Sequence, residues 1–91
     1  MRSTPQEISA FEAAQDCLAY WFDIHHSMIA DECNAPSPDI ELLASLRTER
    51  SKLARLSATL TISDSTGVAR VLGEYGAMIS VWREQHHSFA A

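Results

Sequence analysis

Positive charge is missing from the first half of this chain. Between Ser3 and Leu46 there is no Lys and no Arg, while Glu7, Glu12, Asp16, Asp23, Asp31, Glu32, Asp39 and Glu41 all fall there. With Arg2 counted, residues 1–46 hold one base against eight acids, a net of −7. Residues 47–91 hold six bases against four acids, a net of +2, which makes up the whole-chain −5. Such a split bears on partners more than on fold. It favours a basic partner for the first half and argues against nucleic acid as the main ligand, as does the pI of about 5.2. Glycine and proline are also scarce, three of each, which leaves little material for a many-turned β fold. No run of 18 apolar residues occurs, and no basic leader with an apolar core opens the chain. A soluble, unprocessed, cytoplasmic protein with no membrane contact is expected. HxxxH, CxxC and a strand-linked glycine loop are all absent, so no cofactor is expected.

The chain does hold three amphipathic segments in 91 residues, a length that suits one domain burying roughly 60–65% of its unfolded surface. Thr4-Pro5-Gln6-Glu7 reads as a capping box with proline at the first helical position. Phe11, Ala14, Leu18, Trp21, Phe22, His25 and Ile29 then recur at helical spacing, which predicts a helix over about 5–32. Asn34-Ala35-Pro36-Ser37-Pro38 ends it. Ser37 is the expected cap of a second helix over about 38–60, with Pro38 in its first position. Its stripe is Leu42, Leu43, Leu46, Leu53, Leu56 and Leu60; the spacing Leu42, Leu46, Glu49, Leu53, Leu56, Leu60 is that of a coiled-coil seam interrupted at Glu49. Thr61 to Gly67 forms the second connection, capped by Ser63 or Ser65 with Asp64 at the helix start. Val68, Val71, Leu72, Tyr75, Met78, Ile79, Trp82, His86 and Phe89 predict a third helix over about 65–88. The expected fold is all-α, a three-helix up-down-up antiparallel bundle, with a homodimer through helix two or helix three as its extension.

Four groups of residues are candidates for function. Glu12, Asp16 and Asp23 fall on one stripe of helix one, opposite its apolar face, over about 16 Å of axis. Bases are commonly placed four residues from acids on native helices, and here there are none. Such a row could dock on a basic surface of another protein; the plain alternative is a solvated face. Arg47, Arg50, Lys52 and Arg55 scatter around helix two, with Arg50 near the leucine stripe and Arg55 opposite it; they are expected to pair with acids of helix one or of a second subunit. Gly73 and Gly76 lie with Ala69, Ala77 and Ser80 on one side of helix three, where a backbone could come close. That row, with Leu46 and Leu53, serves either helix packing within the chain or self-association. His25-His26 and His86-His87 form two pairs, each one turn after a tryptophan. His25 and His86, with Cys33 or Asp31 nearby, are weak candidates for metal binding or a pH switch; the plain alternative is that they close a core layer. Cys17 and Cys33, about 24 Å apart along one helix, cannot bridge within it and are expected to be free thiols in a reducing compartment.

The overall profile is similar to that of small adaptors, secretion chaperones and phage-encoded inhibitors, some anti-CRISPR proteins among them; the similarity is one of class and carries no residue across. The WXG helical hairpin is contradicted, since neither Trp21 nor Trp82 has glycine two residues on. No catalytic arrangement stands out, so the expectation is a non-catalytic inhibitor or adaptor. The alternatives are a homo-oligomerisation module or secretion-type chaperone, then a histidine-based sensor.

Overall fold

Three α-helices form, and among the described residues, 2–86 of this computed structural model, there is no strand. Helix α1 spans Pro5–Cys33, α2 Ile40–Thr59 and α3 Ser65–His86. The expected end of the third helix near residue 88, with His87 and Phe89, lies outside the described residues.

Each helix begins where a side chain takes up amides that the helix itself leaves unpaired. At α1 the capping box is complete. The Thr4 amide donates to Glu7 Oε1 at 2.8 Å, and the Glu7 amide donates to Thr4 Oγ1 at 3.1 Å. At α2 the cap is Asp39 and not Ser37. The Leu42 amide donates to Asp39 Oδ1 at 3.1 Å, and the helix starts two residues later than expected. Asp caps as well as Ser does, and the Asp39 amide is taken by Glu32 Oε2 at 2.9 Å. That bond to the end of α1 fixes Asp39 as the boundary. At α3 the cap is Asp64, whose Oδ1 accepts the Gly67 amide at 2.9 Å; Ser63 and Ser65 do not fill the role. Gly67 is required here by space, not by dihedral angle, since no glycine has positive φ. A Cβ at Gly67 would collide with the Asp64 carboxylate.

The chain forms two compact units, and α1 runs through both. The first holds the described residues up to Cys17 together with those from Leu60 onward. In it Ala14 of α1 and Val68, Val71, Tyr75 and Ile79 of α3 are buried. Gln6 and Ala10 line one apolar groove of about 240 Å³ with Ser65, Val68 and Leu72, so the two helices start side by side. The second unit is Leu18–Thr59. Its core is Leu18, Ile24 and Ile29 of α1 with Leu43 and Leu53 of α2, and Leu18 and Leu53 are each 1% exposed. Burying one such leucine contributes about 1.5–3 kcal/mol. Contacts from Asp39 to Glu32, from Arg47 to Cys33 and from Arg50 to His26 show that α2 runs back along α1.

Three stripe assignments need correction. Leu42 is 43% exposed and Leu43 takes the buried place in the first turn of α2. Met78 is 48% exposed, and His86 is exposed as well. The buried side of α3 is centred on Val68, Val71, Tyr75 and Ile79, and Met78 lies at its margin, about 65° from the middle of that line at 100° per residue. Ile24, absent from the expected stripe of α1, is buried.

Candidate functional site

Glu12, Asp16 and Asp23 are all exposed on α1. Glu12 and Asp16 belong to the first unit and Asp23 to the second. Among the described residues, the four bases expected to pair with acids of helix one or of a second subunit do not reach these three. Arg50 donates to His26 Nδ1 at 2.8 Å, Arg47 donates to Cys33 Sγ at 3.6 Å, and Lys52 lies 3.8 Å from Glu49 on its own helix. Arg55 is exposed and opens onto a shallow depression of about 450 Å³ with Arg47, Thr48, Ser51 and Lys52. Among the described residues, then, no base of the chain pairs with the three acids. Glu12 and Asp16 are one turn apart, and like charges at that spacing cost an isolated helix about 0.2–0.5 kcal/mol. The chain carries that cost without an internal counterion.

The basic residues sort by the side of α2 they occupy. Arg50 sits beside the leucine core, is half-buried and ties α2 to α1. Arginine can only donate, so His26 Nδ1 accepts, and the proton of the neutral ring is on Nε2. Ser51 and Arg55, one turn apart, lie on the opposite side, and Arg47 stands at the flank where its guanidinium reaches Cys33 of α1; all three are exposed. Sequence spacing alone separates Arg50 from the others but does not name its partner, because His26 lies 24 residues away.

The two tryptophan–histidine pairs repeat one local device. His25 Nδ1–H donates to the Trp21 carbonyl at 2.9 Å, and His86 Nδ1–H donates to the Trp82 carbonyl at 2.7 Å. A carbonyl only accepts, so the proton position on each Nδ1 follows from the bond. His25 meets the Trp21 ring edge-on at 4.8 Å, whereas His86 stacks on Trp82 at 4.1 Å. His25 is 5% exposed and closes the core of the second unit; His86 is exposed in the first. Among the described residues no three His, Cys, Asp or Glu side chains come together as a metal site would require. Cys17 and Cys33 are both free. Burial pushes the Cys17 thiol above its ordinary value, which lowers its thiolate fraction at neutral pH.

The small-residue row on α3 faces away from the core. Among the described residues, a Cβ on Gly73 or on Gly76 would meet nothing within 4 Å, and Ala69, Gly73, Ala77 and Ser80 are exposed. At these two glycines no neighbouring helix makes the close approach that was one reading of the row. Leu53 is in the core and Leu46 is half-buried. Among the described residues, no helix is long and apolar enough to cross a membrane.

No protein-family model, no curated protein and no solved structure matches the chain.

Proposed function

We propose that this chain is a non-catalytic protein-binding module, a small cytoplasmic inhibitor or adaptor built as an up-down-up helical bundle, whose acidic face on α1 docks on a basic surface of another protein. The observation that supports the reading is that Glu12, Asp16 and Asp23 are exposed while the chain's own bases are committed elsewhere or left open. A cationic partner would relieve the repulsion that the row now carries. Charge alone does not hold such a complex. Exposed pairs contribute about 0.2–1 kcal/mol each, so three of them steer the encounter and set orientation, and apolar contact must supply the rest. Ile8, 41% exposed and one turn before Glu12, offers that contact.

The test is capture from a host lysate at low and high salt by the wild-type chain and by an E12Q/D16N/D23N variant. A partner held by the wild type at low salt, lost at high salt and lost by the variant supports the reading. A partner held equally by both chains at both salt concentrations overturns it.

A second reading, self-association through α3, draws support from the open space over Gly73 and Gly76. Replacing Ala77 with Glu would abolish a dimer formed there; a mass unchanged by that substitution removes this reading.

A further inference from the structure

The outward side of α2 is a second charged face, of opposite sign to the row on α1. Ser51 and Arg55 stand along it, with Lys52 at one flank and Arg47 at the other, and Ile40 at its start is 73% exposed. One guanidinium N–H of Arg47 reaches Cys33 Sγ, which leaves its other donors open. The Arg55 guanidinium takes no partner among the described residues. Arginine clusters of this kind fit carboxylates, because the planar fork offers paired N–H donors.

The two faces also match in spacing. Along α1 an exposed isoleucine, Ile8, is followed by carboxylates at Asp16 and Asp23. Along α2 an exposed isoleucine, Ile40, is followed by guanidinium groups at Arg47 and Arg55. Counted from Ile8, Asp16 and Asp23 lie eight and fifteen positions on; counted from Ile40, Arg47 and Arg55 lie seven and fifteen positions on. At 1.5 Å per residue the two intervals agree within about 1.5 Å. A pair of helices laid parallel would bring Ile8 to Ile40, Asp16 to Arg47 and Asp23 to Arg55.

Resting on the acidic-face reading above, we infer that the basic surface met by α1 is the outward side of α2 on a second copy of this chain. Each copy then carries both halves of the contact. Where both contacts form at once across a two-fold axis they close a dimer; where only one forms, the contact is heterologous and builds a ring or an open chain.

The test uses the full chain, alone and in pairs of variants, with mass followed by light scattering. At about 0.01 M salt, where charges act over about 30 Å, the wild-type mass doubles or more as concentration rises. At about 1 M salt, where the Debye length is about 3 Å, it returns to the monomer. A D16K/D23K variant and an R47E/R55E variant each stay monomeric alone, and an equimolar mixture recovers the association. The four positions are exposed, and melting curves matching the wild type establish that both variants fold; a D16N/D23N and R47Q/R55Q pair, each with weakened association, serves where a reversal does not fold. A wild-type chain that stays monomeric at low salt overturns the inference. So does a reversed variant that still associates alone, or a mixture that fails to recover. The acidic-face reading fails differently, through lysate capture that the E12Q/D16N/D23N substitutions leave unchanged. A partner lost with those substitutions but kept by R47E/R55E, from a wild-type chain that is monomeric, upholds the acidic face and sinks self-docking.

Discussion

Helices α2 and α3 meet the same demand on their inner sides and differ on their outer ones. Each buries a stripe of branched aliphatic residues, Leu43 and Leu53 on α2 and Val68, Val71 and Ile79 on α3. Outside, α2 shows Arg47 and Arg55, while α3 shows Ala69, Gly73 and Ala77. Packing explains the first resemblance and leaves the second difference unexplained. Stability is carried by the inner sides, so the outer sides are where selection for a partner would act.

The largest test of that division compares two positions on α2. Leu53→Ala removes a side chain that is 1% exposed and is expected to cost about 2–5 kcal/mol. Arg55→Ala, two residues on and exposed, should change stability by less than about 0.5 kcal/mol. Urea denaturation of the two variants measures both. Equal losses would mean that the basic side is structural, and the docking argument would lose its footing.

Next come the caps, where the structure also shows how far local signals reach. Asp39→Ala and Asp64→Ala should each cost about 1 kcal/mol in thermal or urea unfolding. The Thr4 box was legible in full, because both partners lie within four residues and their chemistry permits little else. Asp39 and Asp64 were legible only as acids near helix starts; neighbouring serines competed for the same role. What decided α2 was the Glu32 carboxylate reaching the Asp39 amide, a contact across the loop that no periodicity reports. The same limit hid the bond from Arg50 to His26 and the burial of Ile24. The three acids of α1 were legible as a stripe because helical angle alone places them. Whether a base would reach them depended on tertiary contact, and so lay beyond the sequence.

The glycines of α3 give a smaller effect of opposite sign. Gly73 and Gly76 have open space where a Cβ would go, so Gly73→Ala and Gly76→Ala should each stabilise the isolated chain by up to about 1 kcal/mol. Gly67→Ala should gain nothing, since the methyl would displace the Asp64 carboxylate and the lost cap offsets the better helix propensity. Melting temperatures of the three variants test the contrast. A loss at Gly73 would show that its face is occupied in solution, which would favour self-association through α3 over the outward side of α2.

The smallest expected effect is the pH dependence of the cap of α1. The Glu7 carboxyl is held below its ordinary value of 4.5, first by the Thr4 amide and then by the Thr4 hydroxyl, with burial opposing slightly. An acid whose value is depressed on folding contributes its stability above the unfolded value. That contribution is lost as pH falls through the folded one. Glu7→Gln should therefore be less stable than the wild type at pH 7, and the gap should close as the pH is lowered below the unfolded value near 4.5. The group is solvent-exposed, so screening keeps the gap small and added salt should narrow it. Stability measured from pH 7 downward on both chains decides the matter. A gap that persists unchanged into acid would assign the box to hydrogen-bond geometry that glutamine reproduces poorly, and not to the charge of Glu7.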